Sequence, residues 1–407
     1  MRPKLLTPRN FILVLVAALI IIGFYRWIAS GGRLFGIGEV ASTAGKVLFV
    51  SDRKDAKTAL YMMDGKEGAA EAVPITADGG GSSDAEPAWS PDGGQIAFTS
   101  DRTGAVRQVF VVNAAAGQRI VNRTNTSATK EAPAFGADGF LYFLDGGKIA
   151  RISLTSPETE AVFPTAMQKK DELASIFASG GIVRYAVSED GSRIASVVKL
   201  EQGEALILYY PRDHVVALGG FARRIAVRES AGGLLVGLFG GRPTTPTNPE
   251  TGVSLPPQAV PLFIPEQLPK AADQAVWPIS ASDENYFVRI DSEGKFEVLG
   301  QMPPEMKPND LALSPDGKIA VVTADEGNVP GVFLLSLDGS GTSGPIHNVP
   351  AREPSISPDG KQVAYVSGKD VFVAPTETNA TPVNLTKGAG TNTSPLWSPR
   401  AVVAAAE

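Results

Sequence analysis

The residues Ser90, Pro91, Asp92 and Gly93 recur as Ser314, Pro315, Asp316 and Gly317, and again as Ser357, Pro358, Asp359 and Gly360, each time between an apolar anchor and a second apolar run. Proline presets φ at the second position, serine and aspartate supply local hydrogen bonds, and glycine closes a type I turn. Degenerate copies follow the same rhythm: "APAFGADGFLYFLDGGK" from Ala132, "RYAVSEDGSRIASVVK" from Arg184 and, without the Asp-Gly pair, "RRIAVRESAGGLLVGLF" from Arg223. A turn repeated in this way between apolar runs commits the chain to serial antiparallel pairing. Its aspartates are expected to be turn formers and not ligands.

A second hairpin follows each turn, as in "QVFVVNAAAGQRIVNRT" from Gln108 and "DVFVAPTETNATPVNLT" from Asp370, so the repeating unit reads as four strands. Inner-strand anchors fall at Trp89, Phe135, Ala186, Ala226, Leu313, Ile356 and Trp397. The chain opens with strands that lack an inner one ("KVLFVSD" from Lys46, then a hairpin from Thr58) and ends with an inner strand, "SPLWS", that lacks the other three. Joined, they complete one sheet and remove the open edge of the array. The expectation is an all-β propeller over 46–403, of seven four-stranded blades, with eight or six as open alternatives. The stretch from Ala226 to Leu313 is about twice the usual ~40–50 residue blade period. It is read as an excursion over 240–283 between the second and third strands of one blade, or as a degenerate extra blade.

The pattern "EPAWSPDGGQIAFTSDRTG", followed by "QVFVV", resembles the TolB-type propeller repeat, in which W-S-P-D-G precedes an apolar strand ending in S-D-R. Resemblance implies a toroidal all-β domain, usually exported and often binding proteins in bacterial envelopes. Proteins of this type can carry an α/β domain ahead of the propeller; here only residues 30–46 separate the N-terminal apolar run from the first strand, where a tether is expected instead. Similar propellers also precede prolyl-oligopeptidase-type hydrolase domains, yet the sequence contains no G-x-S-x-G.

After a basic tail over 1–10, the run from Phe11 to Ile28 is apolar apart from Arg26, giving about 27 Å of helix against a ~30 Å hydrocarbon core. Tyr25 and Trp27 suit an interfacial belt, and the basic flank predicts a cytoplasmic N-terminus with everything beyond a 29–45 linker outside. A cleaved signal peptide and a secreted domain form the alternative, although Trp27 and Ile28 suit a cleavage site poorly. Residues 404–407 are read as a tail.

A formal net charge of −6 provides no basic field for nucleic acid. Cysteine is absent, which excludes disulfides and thiolate chemistry, and the two histidines, His214 and His347, both fall at outer-strand positions. No spacing marks an acid pair, a metal set or a phosphate loop, so no catalytic residue, metal or cofactor is expected. The proline-rich excursion is the part of the propeller least like a repeat. Arg242, Leu262, Phe263 and Trp277 within it are the candidate contacts for a protein or cell-envelope partner. The function expected is that of a membrane-tethered, non-catalytic binding or scaffold module, with a glycan or peptide hydrolase or lyase, or a small-ligand sensor, as the alternative; oligomeric state is left open.

Overall fold

Strands such as "KVLFVS", "QVFVVN" and "FLYFLD" are apolar at successive positions, and in the computed structural model they are buried on both sides. The structure describes residues 45–399 except 55–56, 77–80, 157, 165–180, 189, 202, 212–214, 231–232, 244–278, 292–295 and 338–342. The expected transmembrane run over 11–28 therefore lies outside the described residues. Among those described, no helix is long and apolar enough to cross a membrane.

Seven four-stranded antiparallel sheets are present among the described residues. Numbered in chain order from the first complete sheet, their inner strands are Asp84–Trp89 (blade 1), Lys130–Phe135 (blade 2), Ile182–Val187 (blade 3), Arg224–Ser230 (blade 4), Asp310–Leu313 (blade 5), Arg352–Ile356 (blade 6) and Asn392–Trp397 (blade 7). Every expected inner-strand anchor sits on one of these strands. Blade 7 joins the two ends of the propeller: Asn392–Trp397 pairs antiparallel with Lys46–Ser51, which continues into Ala59–Asp64 and Val73–Pro74.

Alternation along each strand sends neighbouring side chains to opposite blades. Leu48 and Val50 pack with Ile96, Phe98 and Phe110 of blade 1, while Val47 and Phe49 pack with Val371 and Val373 of blade 6. Seven apolar clusters result, one between each pair of successive blades, closing the ring. Burying one Phe, Leu or Val in such a layer contributes about 1.5–3 kcal/mol.

Polar staples tie each blade's inner strand to its neighbours. In blade 1 the Arg102 guanidinium donates to both Asp84 oxygens at 2.8 Å, its Nε donates to Ser100 Oγ at 3.0 Å, and it lies over the Phe98 and Phe110 rings. Asp101 accepts the Ser83 amide at 2.6 Å. The S-D-R triplet repeats in blade 7: Arg53 stacks on Phe49 and Tyr61 and donates to Asn392, while Asp52 accepts the Thr391 amide. Blade 2 inverts the charges, with buried Lys130 at the inner-strand start donating to Asp145 at 2.8 Å.

Blade 4 settles how the long stretch is accommodated. Its second strand runs Gly233–Pro243 and its third Ile279–Ile290, with Arg242 opposite Ser280 and Pro243 opposite Ile279. Both ends of the 240–283 stretch are thus strand, and the excursion proper is confined to 244–278.

Asp84 is 1% exposed, and removing one partner of a buried ion pair costs about 3–5 kcal/mol. Asp84→Ala should lower the urea-unfolding free energy by about that amount. The double variant Asp84→Ala/Arg102→Leu should be more stable than the single one, because no guanidinium is then stranded.

Candidate binding site

The repeated turns come first, because their aspartates are the most numerous acids in the repeat. Ser90 Oγ donates to Asp92 Oδ1 at 2.6 Å and accepts the Gln95 amide at 2.8 Å, and Asp92 Oδ1 accepts the Gly94 amide at 2.9 Å. The same set recurs at Ser314, Asp316, Lys318 and Ile319, at Ser357, Asp359, Lys361 and Gln362, and at Ser188, Asp190, Ser192 and Arg193. Gly93 (φ 64°), Gly317 (φ 69°) and Gly360 (φ 72°) lie in the left-handed region, where a side chain would be strained. Pro91, Pro315 and Pro358 occupy the preceding corner of each turn. These residues sit in tight hairpin bends, each aspartate engaged by its own turn.

Asparagines of three N-x-S/T triplets, Asn122, Asn384 and Asn392, are absorbed in a similar way. Asn122 and Asn384 accept the amides of Thr124 and Thr386, whose hydroxyls accept the Val109 and Val371 amides. Fully buried Asn392 donates to Lys369, Ala389 and Gly390 carbonyls.

His347 ends an outer strand with Nδ1 2.7 Å from the Tyr365 hydroxyl, and its ring lies beside those of Tyr365 and Phe372. Burial pushes its pKa down. His214 lies outside the described residues, as do Leu262, Phe263 and Trp277. Arg242 is exposed near the tip of the long second strand. Of the proposed partner contacts, then, only Arg242 is placed, at the root of the excursion. Near that root a cleft of about 570 Å³ is lined by residues including Lys199, Gly203, Arg223, Gly240 and Asp283.

The inner strands divide into two sectors. In blades 1, 2, 6 and 7 the residue before a proline adopts positive φ: Glu86, Ala132, Glu353 and Ser394, at 48–55°. Such residues cost about 1–3 kcal/mol each and persist where neighbours hold them. Here the hold crosses blades: Glu86 Oε2 accepts the Ala132 amide at 3.1 Å, and Glu353 Oε2 accepts the Ser394 amide at 2.5 Å. Burial raises the Glu353 pKa, against the lowering effect of that amide.

Blades 3, 4 and 5 lack the X-Pro kink, and the inner strands of blades 3 and 4 carry arginine. Arg184 pairs with Glu204 and donates to the Ile225 carbonyl at 3.2 Å. Glu204 also accepts the Ile225 amide at 2.7 Å. Arg193 grips both Glu229 oxygens at 3.0 Å and the Asp291 carbonyl at 2.6 Å. Arg228 donates to Asp310 at 2.8 Å. Arg224 lies on the same strand face as Arg228, and its Nε is sealed from solvent without a hydrogen bond. Burial and then the Arg184 charge pull its pKa down. A buried donor left unpaired costs about 1–3 kcal/mol, more when charged. Sequence reasoning missed this sector because "RRIAVRE" was read for rhythm alone. Arg224 and Arg228, four residues apart and so on one face of the strand, were the available signal.

Among the described residues, no three His, Asp or Glu side chains converge as metal ligands.

A ring of four-stranded sheets closed by strands from both chain ends defines a β-propeller protein. Residues 60–215 match the family described as the lipoprotein LpqB beta-propeller domain. No curated protein matches the chain. Similar solved structures include TolB from Acinetobacter baumannii, 13% identical over 88% of this chain and 67% of that one, TM-score 0.46. A putative TolB from Agrobacterium tumefaciens is 17% identical over 69% of this chain and 90% of that one, TM-score 0.40. The oligogalacturonate lyase of Vibrio parahaemolyticus is 12% identical over 80% of this chain and 95% of that one, TM-score 0.39. At such identities and scores, activity has to be read from this chain's own residues.

The Ser314 hydroxyl and Lys318 amide hold Asp316 below the usual carboxylate pKa, and the Ser357 hydroxyl does the same for Asp359 against a small opposing effect of burial. A pKa lower in the fold than in the unfolded chain gives stability that is present above about pH 4 and lost as pH falls through the depressed value. Asp316→Asn/Asp359→Asn should therefore lose less stability than the parent between pH 5 and 3 in acid-unfolding scans. At pH 7 the exposure of these turns keeps the cost of each change under ~1 kcal/mol.

Proposed function

We propose that this TolB-like propeller is a membrane-tethered, extracytoplasmic module that binds a protein or cell-envelope partner without catalysing a reaction. The observation that carries this reading is the blade 4 hairpin. A proline-rich excursion over 244–278 leaves and re-enters an intact sheet between directly paired Pro243 and Ile279. Proline-dense segments do not join ladders, and long loops on rigid scaffolds commonly carry recognition. The excursion's apolar residues Leu262, Phe263 and Trp277, with Arg242 at its root, are the proposed contacts. The acids placed above favour binding over catalysis: Asp84, Glu86, Glu204, Glu229, Asp310 and Glu353 each hold a cation or an amide of the scaffold. The tether is proposed to be the apolar run over 11–28, with its basic cytoplasmic flank.

Because Pro243 and Ile279 are opposite each other, replacing 244–278 with Asn-Gly should close a tight hairpin and leave the melting temperature within about 2 °C. Crosslinking capture from membranes should then lose its specific partner. Capture unchanged by the replacement, or turnover of an envelope glycan or peptide by the purified chain, would count against the scaffold reading. Protease added outside intact cells should digest the propeller; full protection would reverse the proposed orientation.

A further inference from the structure

Between the outer edges of blades 6 and 7 the surface opens into a groove of about 1010 Å³. One wall is the outer strand Val73–Pro74 with the approach from Ala69 to Ala72, and the other is Thr381, Pro382 and the outer strand Val383–Asn384. Met63 and Leu385, buried in the apolar layer between these blades, reach the floor, and Ala69, Ala72 and Val383 pack beside them. Exposed edge strands invite pairing by another chain. Here Pro74 lies in one edge and Pro382 directly precedes the other, and neither has an amide to donate. A segment in the groove is therefore held through side chains and not by extending a sheet.

Strand register separates the charged lining residues. Lys46 is opposite Asp64 and Ser51 opposite Ala59, so Lys66 and Glu67, just past Asp64, lie about 20 Å from Arg53 and Lys54, just past Ser51. Glu71 leads into the outer strand on the Lys66 side. The loop carrying Lys387 joins the Arg53 end, where Asp52 accepts the Thr391 amide at 2.6 Å and Gly390 lies against the Arg53 backbone. Lys54, Lys66 and Lys387 are exposed and enter no ion pair with a described residue, and Arg53 donates to neutral acceptors, Ser51 and Asn392. Asp370 is held by Asn384, Thr386 and the Gly388 amide, with Lys369 beside that loop. The Arg53 end thus sets Arg53, Lys54, Lys369 and Lys387 against Asp52 and Asp370. The other end sets Lys66 against Glu67 and Glu71, beside the self-neutralised Lys46–Asp64 pair.

An apolar floor about 20 Å long with a positive surplus at one end suits an extended peptide of about six residues. Ammonium groups on flexible stems take carboxylates without a fixed geometry, so the charge selects sign and direction. We propose that this groove binds an extended segment of a protein partner, apolar through its middle and acidic at the end lying against Arg53, Lys54 and Lys387. This surface is separate from the blade 4 excursion, so either one can fail its test while the other passes.

The test titrates the full chain in detergent with fluorescent, end-blocked peptides, read by anisotropy. A probe of five alanine and valine residues followed by three glutamates should bind saturably. Replacing its glutamates with lysines should weaken binding at least tenfold, and replacing its apolar half with glycine and serine at least fivefold. Lys54→Glu/Lys387→Glu should weaken the acidic probe at least tenfold, and Lys54→Glu alone should act in the same direction if the double variant does not fold. Arg119→Glu/Lys148→Glu, the same change of net charge at exposed positions elsewhere, should stay within twofold of the parent, as should removal of 400–407. The proposal is overturned by absence of saturable binding, by a Lys54→Glu/Lys387→Glu variant that binds within twofold of the parent, or by a glycine-serine peptide or a galacturonate hexamer that binds as tightly as the acidic probe. A tenfold gain on removing 400–407 would also overturn it, by giving the groove to the chain's own tail.

Discussion

Every blade of this protein is apolar on both faces, and the only cover available for either face is the neighbouring blade. Phe49 and Leu48 are adjacent in sequence, yet one belongs to the layer against blade 6 and the other to the layer against blade 1. No single sheet can satisfy both faces, and an open array would leave two bare ones. Closure follows from that constraint, and it explains why the last inner strand, Asn392–Trp397, pairs with the first strand of the propeller. It also explains why the strands read as continuous apolar runs and lack polar alternation.

Closure sets the task of the polar residues. Inner strands crowd around the axis, and their ends are fixed by buried ion pairs and amide clasps. Arg102 with Asp84, Lys130 with Asp145 and Arg53 with Asn392 perform one task with three chemistries. The pre-proline kinks at Glu86, Ala132, Glu353 and Ser394 belong to the same system, because a carboxylate from one blade holds the kinked amide of the next at two of these joints. The strain there has a structural explanation, and the most repeated acids of the sequence are accordingly scaffold.

The repeat is broken in blades 3 to 5. The kinks vanish, the inner strands of blades 3 and 4 carry arginines, and the Nε of one of them, Arg224, is enclosed without a hydrogen bond. Blade 4 also carries the proline-rich excursion, so the two departures from the repeat share a sheet.

The sequence by itself determined the strands, the turns and the pairing of the two chain ends, because those depend on short-range chemistry: S-P-D-G can bend in few ways, and an orphan "SPLWS" has only one incomplete sheet to join. It left the long stretch as either an excursion between the second and third strands of a blade or an extra blade, a choice made only by the pairing of Gly233–Pro243 with Ile279–Ile290. Only the tertiary structure decided that the hairpin continues through Arg242 to Pro243, that Asp52 and Asp101 hold amides of the approach to an inner strand, and that Arg224 Nε is enclosed without a hydrogen bond. Such assignments depend on which side chains meet across blades separated by tens or hundreds of residues, as Arg53 and Asn392 do. A charge shows from the sequence as a charge; whether it is neutralised is settled by the neighbours that closure brings to it.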